Sequence, residues 1–162
     1  MRRKPRHLAP PGVWILTAVA ICAFIQFGGG AAEGQGSGPT CYGKLATLAY
    51  PDTEFVLGTE QTDVIVTDAR TQLINGEGGD DLICAGGGRD VITGGPGNDK
   101  VNGQGGSDNI GGGPGRDRLN GGAGRDLLNG QRGGKDRCIG GRGFDLASPK
   151  HCERVRSAAT RL

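Results

Sequence analysis

The chain has 162 residues, of which 34 are glycine and only 4% are aromatic. A length of this order is typical of one domain, and the composition excludes a large core rich in aromatic side chains. The formal net charge of +2 comes with no basic patch that is interleaved with aromatic residues, so the sequence offers no support for a nucleic-acid-binding role.

Residues 1–32 are predicted to be a signal peptide for secretion. Basic residues precede an apolar run from Val13 to Phe27, and small residues follow from Gly28 to Ala32. The run is shorter than the roughly 20 residues of a membrane-spanning helix, which favours cleavage after Ala32 over a permanent anchor. Lipoprotein attachment at Cys22 and twin-arginine export are weaker alternatives. Cleavage takes away four of the 19 basic residues and none of the 17 acidic ones, so the formal net charge becomes −2.

The cysteines agree with export into an oxidising compartment. Loss of Cys22 leaves an even number, which suggests two disulfides. Four cysteines allow three connectivities, and proximity along the chain favours Cys138 with Cys152 and Cys41 with Cys84. Free buried thiols are the alternative.

After a linker or cap at residues 33–55, an aspartate recurs at nearly constant intervals through residues 56–148, and residues 149–162 form a C-terminal tail. The intervals are 10, 9, 9, 9, 9, 10 and 9 residues, between Asp80, Asp90, Asp99, Asp108, Asp117, Asp126, Asp136 and Asp145. Glycine stands two residues before each aspartate and an apolar residue usually two residues after it. The clearest copies are residues 94–102, 112–120 and 121–129. Weaker copies precede them at 58–65 and 67–74, where Gln72 replaces the aspartate.

The two ten-residue intervals each contain one extra residue, close to Cys84 and close to Arg132. We expect the chain to bulge at both places.

These nonamers match the pattern GGxGxDxUx, and the chain therefore resembles the hemolysin-type calcium-binding repeat (RTX nonapeptide) family, in particular its small secreted members. The resemblance implies an all-β fold, a parallel β-roll or right-handed β-solenoid in which two nonamers complete one turn. Each nonamer would supply a six-residue calcium-binding turn and a three-residue strand.

Calcium chemistry explains the residue types. Ca²⁺ takes six to eight oxygen ligands, and glycine turns can direct backbone carbonyls inward while the aspartate adds charge. In a roll with two nonamers per turn, one ion can bridge aspartates two repeats apart. Three pairs are 18 residues apart, the unbroken spacing of two nonamers: Asp90 with Asp108, Asp99 with Asp117 and Asp108 with Asp126. Three further pairs are 19 residues apart: Asp80 with Asp99, Asp117 with Asp136 and Asp126 with Asp145. Alternatively, each aspartate only caps its turn by accepting backbone N–H groups.

Basic residues flank these aspartates, which distinguishes the chain from an acidic version of the family. The residues directly before an aspartate are Arg89, Arg116, Arg125 and Lys135. The residues directly after one are Lys100, Arg118 and Arg137. We interpret them first as solvated charges that balance the carboxylates. They could instead replace ions at some turns or contact a surface polymer.

The apolar residues two positions after the aspartates are predicted to form the core. They are Leu82, Ile92, Val101, Ile110, Leu119 and Leu128, with Ile65, Cys138 and Ala147 as less certain members. One such side chain per nonamer stabilises too little to offset the entropy of ordering the chain, so folding should be coupled to calcium binding.

No catalytic constellation is present: the sequence holds only two histidines, His7 and His151, and lacks the zinc-protease, phosphate-loop and EF-hand motifs. The sequence thus predicts a secreted, non-catalytic protein that binds calcium ions, with no nucleic acid and no membrane span after signal removal. The alternative is a structural or adhesive protein of the cell envelope, in which the roll presents a binding surface and calcium is incidental. A cell-surface polymer or protein partner stays open.

Overall fold

A computed structural model describes residues 38–50, 52–148 and 151–157 of the chain, the last five of these through their backbone. The chain divides into two units, Met1–Gly34 and Gln35–Leu162, and only the second is described. The predicted signal peptide lies outside the described residues. No helix among the described residues is long and apolar enough to cross a membrane.

Short strands separated by glycine-rich turns make up the described part of the chain. Six of them have three residues, and five of those six have an Ile, Val or Leu at the centre, which favours extended backbone. In chain order they are β1 (Thr40–Cys41), β2 (Lys44–Leu45), β3 (Leu48–Tyr50), β4 (Phe55–Thr59), β5 (Val64–Thr67), β6 (Leu73–Glu77), β7 (Leu82–Cys84), β8 (Val91–Thr93), β9 (Lys100–Asn102), β10 (Gly105–Gly106), β11 (Asn109–Gly111), β12 (Arg118–Gly124), β13 (Leu127–Asn129), β14 (Asp136–Gly143), β15 (Leu146–Ala147) and β16 (Cys152–Ser157).

Two parallel sheets face each other across the core, and the chain alternates between them. The first sheet has the order β16-β14-β12-β9-β7-β5-β3, with β10 also paired to β12, and the second has the order β15-β13-β11-β8-β6-β4. Ile74, Ile92, Ile110 and Leu128 are register partners in the second sheet, each two nonamers after the last. The prediction of an all-β parallel β-roll with two nonamers per turn is confirmed.

One buried aliphatic residue per strand fills the space between the sheets. Most of the predicted core residues occupy it, with Ile65, Ile92, Val101, Ile110, Leu119, Leu128 and Cys138 no more than 1% exposed. Ala147 is only partly buried against this core. The prediction for Leu82 is wrong, because Ile83 takes the inward position with no exposed area. Leu82 packs instead in a smaller cluster with Cys41, Val64 and Cys84 outside the main core.

The register around Asp80 and Asp81 explains this difference. β7 pairs with β9 through Ile83 opposite Val101, which places Asp81, not Asp80, one full coil before Asp99. The interval from Asp81 to Asp90 is therefore a regular nonamer. The expected extra residue near Cys84 is not there.

The second expected irregularity is present. Gly115 bridges Gly133 at the regular spacing of two nonamers, whereas Arg118 pairs with Arg137, one residue beyond that spacing. The extra residue therefore lies between Gly133 and Asp136. It is contained in a turn, so the strands on both sides keep their pairing.

Both ends of the roll carry a disulfide. Cys41, in the antiparallel hairpin of β1 and β2, is bonded to Cys84, and Cys138 is bonded to Cys152. Both predicted pairings are confirmed. The parallel sheets extend beyond residues 56–148: β3 lies in the segment predicted as a cap and β16 in the predicted tail.

Truncation of Ile83 tests the register. Ile83→Ala should lower the free energy of unfolding by about 2 to 5 kcal/mol, because it leaves a cavity in the core. The matched control, Leu82→Ala, should cost only about 1 kcal/mol, because Leu82 is half-buried outside that core. Urea unfolding in excess calcium, followed by circular dichroism, measures both. A larger loss for the Leu82 variant would contradict the register.

Candidate metal centre

Two ladders of side chains run along the roll, one at each turn-to-strand junction. The backbone N–H of one ladder residue donates to Oδ1 of the next ladder residue, which lies one coil of the roll later, at 2.8 to 3.1 Å. We call them the first ladder, Asp63, Asp81, Asp99, Asp117 and Asp136, and the second ladder, Gln72, Asp90, Asp108, Asp126 and Asp145.

The second carboxylate oxygen of these aspartates has no partner. Oδ2 is buried and accepts no hydrogen bond in Asp81, Asp90, Asp99, Asp108, Asp117, Asp126, Asp136 and Asp145. Capping of the turn therefore accounts for one oxygen of each carboxylate but not for the other. A buried, unsatisfied acceptor is costly, and a buried charge is more so, which indicates a cationic ligand at these positions.

The two remaining ladder residues, Asp63 and Gln72, differ from these eight aspartates. Oδ2 of Asp63 accepts hydrogen bonds from the backbone N–H and the hydroxyl of Thr59, both at 2.8 Å. Gln72 is neutral, and its side-chain amide donates to Asp68. Both positions are satisfied within the protein, so the fold does not need an unpaired oxygen at a ladder position.

In seven of the eight nonamers with an unpaired oxygen, the glycine at the first position leaves space for that oxygen, and in the nonamer of Asp90 the first position is Ala85. A methyl group at Gly94 would overlap Oδ2 of Asp99, and one at Gly121 would overlap Oδ2 of Asp126. Carbonyl oxygens from the adjacent coil also reach these turns, since a methyl group at Gly97 would overlap the Gly79 carbonyl oxygen. The turns thus bring backbone and carboxylate oxygens together where side chains would not fit.

Burial raises the pKa of seven ladder carboxyl groups above their ordinary value of 3.8. Desolvation is the main cause at Asp99 and Asp108, whose pKa it raises to about 7; a backbone hydrogen bond lowers the pKa of each, and the charge of neighbouring ladder aspartates raises it. Desolvation also raises the pKa to about 6 at Asp81, Asp90 and Asp117, and raises it at Asp126 and Asp136. Near neutral pH the turns therefore favour either a proton or another cation.

The neighbouring arginines do not neutralise these oxygens. In the described part of the chain, Arg89, Arg116, Arg118, Arg125 and Arg137 form no ion pair with a ladder carboxylate, and the ion pairs present join Arg70 to Asp52 and Asp68. The idea that arginine replaces ions at these turns therefore finds no contact to support it.

The donor set fits calcium. The described residues contain no group of three or more His, Cys, Asp or Glu side chains that could hold a metal ion, so backbone carbonyl oxygens would have to complete each site. A donor set made of oxygen alone suits a hard cation such as Ca²⁺, whereas zinc prefers nitrogen and sulfur. The ladder aspartates would supply the negative charge.

Seven of the eight sequence-predicted aspartates lie in the ladders, and Asp80 does not. The Asp80 side chain is exposed, and its Oδ1 accepts from the backbone N–H and side-chain amide of Asn98. Sequence reasoning missed Asp81, which takes the ladder position. The regular spacing of two nonamers from Asp63 to Asp81 and from Asp81 to Asp99 was the signal that could have identified it.

Among the predicted pairs, those with the unbroken spacing are ladder neighbours. Asp117 with Asp136 and Asp126 with Asp145 are also ladder neighbours despite the extra residue between them. Asp80 with Asp99 is replaced by Asp81 with Asp99.

The raised pKa values predict how the ion-free protein responds to pH. Between the ordinary value of 3.8 and the value of about 7 at Asp99 and Asp108, the folded state binds more protons than the unfolded state, so its stability falls as pH rises through that window. Circular dichroism in chelator should show the β-sheet signal growing from about pH 8 to about pH 5. A signal that is flat, or that grows with pH, would contradict this prediction.

Comparison with known proteins adds the family. Residues 57–92, 75–110, 85–119, 102–134 and 111–147 match the family described as the RTX calcium-binding nonapeptide repeat (4 copies). Comparisons with curated proteins and with solved structures found no match. The matched segments span residues 57–147, more than half of the chain, and contain all eight aspartates with an unpaired oxygen. The chain belongs to the RTX calcium-binding nonapeptide repeat family.

Proposed function

We propose that this protein is a secreted, non-catalytic calcium-binding β-roll that folds when it binds Ca²⁺. The observation that carries the proposal is the set of eight buried, unpaired Oδ2 atoms, four in each ladder. Bound calcium would supply the positive charge that these oxygens lack. Asp81, Asp90, Asp99, Asp108, Asp117, Asp126, Asp136 and Asp145 would hold the ions, together with carbonyl oxygens of the glycine turns.

The ladders couple folding to the ion. Each aspartate holds the adjacent coil through Oδ1 while its Oδ2 faces the turn, so a ligand at Oδ2 stabilises the same residue that joins the coils. In the unfolded chain these carboxylates are far apart and solvated. A ligand that binds only the folded state shifts the equilibrium toward it.

Secretion is supported by the N-terminal sequence and by the two disulfides. Disulfides persist in oxidising compartments, and Cys41–Cys84 and Cys138–Cys152 join residues of the roll itself. A chain that folds on calcium can remain unfolded where calcium is scarce and fold where calcium is plentiful. The absence of a catalytic motif from the sequence supports a binding role.

Calorimetry and circular dichroism test the proposal. The exported chain in chelator at about pH 7.5 should have little β-sheet signal and should gain it in about millimolar calcium, and titration calorimetry should show several ions bound per chain. Magnesium at the same concentration serves as the control, since it requires stricter octahedral geometry. An undiminished β-sheet signal in chelator would count against coupling, and the absence of heat on titration would overturn the proposal.

Substitution within the Asp80-Asp81 pair tests the assignment of the site. Asp81→Asn keeps an acceptor for the Asp63 backbone N–H and removes the charge. It should lower the calcium affinity of one site by about tenfold or more, or abolish that site. Asp80→Asn, which removes the same charge from an exposed side chain, should leave the stoichiometry unchanged. Calcium calorimetry on both variants decides, and the reverse pattern would contradict the ladder assignment.

Export has its own test. The full-length chain should appear in the culture medium with its N-terminus at Glu33, the residue after the expected cleavage point. Mass spectrometry of the recovered protein measures this. Retention of residues 1–32 on the recovered chain would contradict the signal-peptide assignment without affecting the calcium proposal.

A further inference from the structure

The residue directly after each ladder position lies outside the main core, and the two sheets differ there. The second sheet carries uncharged residues, namely Leu73, Val91, Asn109, Leu127 and Leu146. The first sheet carries Val64 and Leu82, which pack with Cys41 and Cys84, and then Lys100, Arg118 and Arg137 as register partners. We call the last three the cationic row. If the charges of the cationic row served only solubility, they would not need to lie on one sheet.

The cationic row is straight and accessible. Neighbouring strands of a sheet lie about 4.7 to 4.9 Å apart, so the three cations follow one line along the roll. Arg118 and Arg137 are exposed and form no ion pair with an acidic side chain in the described part of the chain. The register continues to Arg154 of β16. At the other end, the Lys100 ammonium lies 3.3 Å from the centre of the Tyr42 ring.

The adjacent acidic residues do not compete for a ligand on this face. Asp99, Asp117 and Asp136 directly precede the three cations, yet each is no more than 1% exposed because its carboxylate is turned into the ladder. A molecule that approaches Arg118 and Arg137 therefore meets these cations rather than the three ladder carboxylates.

A second row of polar groups lies beside the cations. Asn102 and Asn120 stand two positions further along β9 and β12, and the Asn120 side-chain amide donates to Oδ1 of Asn102 at 3.0 Å. An amide both donates and accepts hydrogen bonds, which suits hydroxyl groups. Asn120 and the cationic row line a groove of about 550 Å³ that Tyr42 closes at one side.

We propose that this groove binds a linear acidic polysaccharide, with the cationic row contacting its sulfate or carboxylate groups and Asn120 contacting its hydroxyls. Arginine matches such anions through its paired N–H donors. A single-stranded nucleic acid would need aromatic side chains on which to stack its bases, and among the described residues Tyr42 is the only aromatic one that lines the groove. The proposal goes beyond calcium binding, since these residues lie outside the ladders.

Binding to dextran sulfate, with neutral dextran as the matched polymer, tests the proposal on the calcium-loaded exported chain. Arg118→Gln/Arg137→Gln should weaken binding by about tenfold or more, because two charge-assisted contacts are lost. The control is Arg89→Gln/Arg125→Gln, which removes the same charge next to the second ladder and should change the affinity by no more than about twofold. Circular dichroism and calcium calorimetry on the same samples show that each variant is folded and loaded.

The outcomes separate the two proposals. Binding to dextran sulfate that depends on Arg118 and Arg137, and not on Arg89 and Arg125, supports the groove. Equal losses in both variants, no binding by folded and loaded protein, or equally tight binding of poly(dT) at the same salt concentration would each overturn it while calcium binding stands. Failure to bind calcium in the calorimeter would instead overturn the proposed function.

Discussion

The rest of the structure depends on the two oxygens of each ladder carboxylate having different environments. Oδ1 of Asp99, for example, accepts the Asp81 backbone N–H of the adjacent coil at 2.9 Å, whereas its Oδ2 is buried without a partner. The first contact joins the coils and is strongest when the carboxylate is ionised. Ionisation is also what makes the second oxygen costly to bury. A proton at Oδ2 removes the cost of burial but also the charge that strengthens the Oδ1 contact, whereas a metal cation at Oδ2 meets both demands. In the proposed function, cohesion of the coils and occupation of the turns are therefore coupled.

The narrow core makes this constraint decisive. From β4 to β13, every strand except β10 contributes one fully buried aliphatic side chain to the main core, and beside Val101 and Ile110 the neighbouring strand positions are half-buried or exposed. Burial of such a side chain stabilises by about 1.5 to 3 kcal/mol, while a whole nonamer must be ordered to place it. Where the ladders lack unpaired oxygens, at Asp63 and Gln72, the structure compensates with side-chain hydrogen bonds and with the hairpin held by Cys41–Cys84.

The repeat period made most of the fold predictable. The nonamers carried the resemblance to the RTX family, the resemblance implied a coil of two nonamers, and the repeat placed residues such as Ile92 and Asp108 correctly. The local glycine context could not choose between Asp80 and Asp81, because a pair of adjacent aspartates satisfies it in two registers. The spacing of two nonamers from Asp63 through Asp81 to Asp99 favours Asp81, and the pairing of Ile83 with Val101 decides the register. The satisfied state of Asp63 was equally inaccessible, since it depends on the Thr59 hydroxyl reaching a particular oxygen.

The nonamer divides into positions that the roll requires and positions that it leaves free. The first position of the nonamer, the ladder position and the inward position are tightly confined, as Gly94, Asp99 and Val101 show. The residue after the ladder position lies outside the main core on both sheets, and beyond the cluster under the N-terminal hairpin the coil leaves its chemistry free. Because the roll brings that position to the same face at every second nonamer, residues of one chemical type there form a row with the strand spacing of about 4.7 to 4.9 Å. Recognition by such a protein is therefore expected to reside in the residues that its family pattern leaves variable, and Arg118 and Arg137 form such a row in this chain.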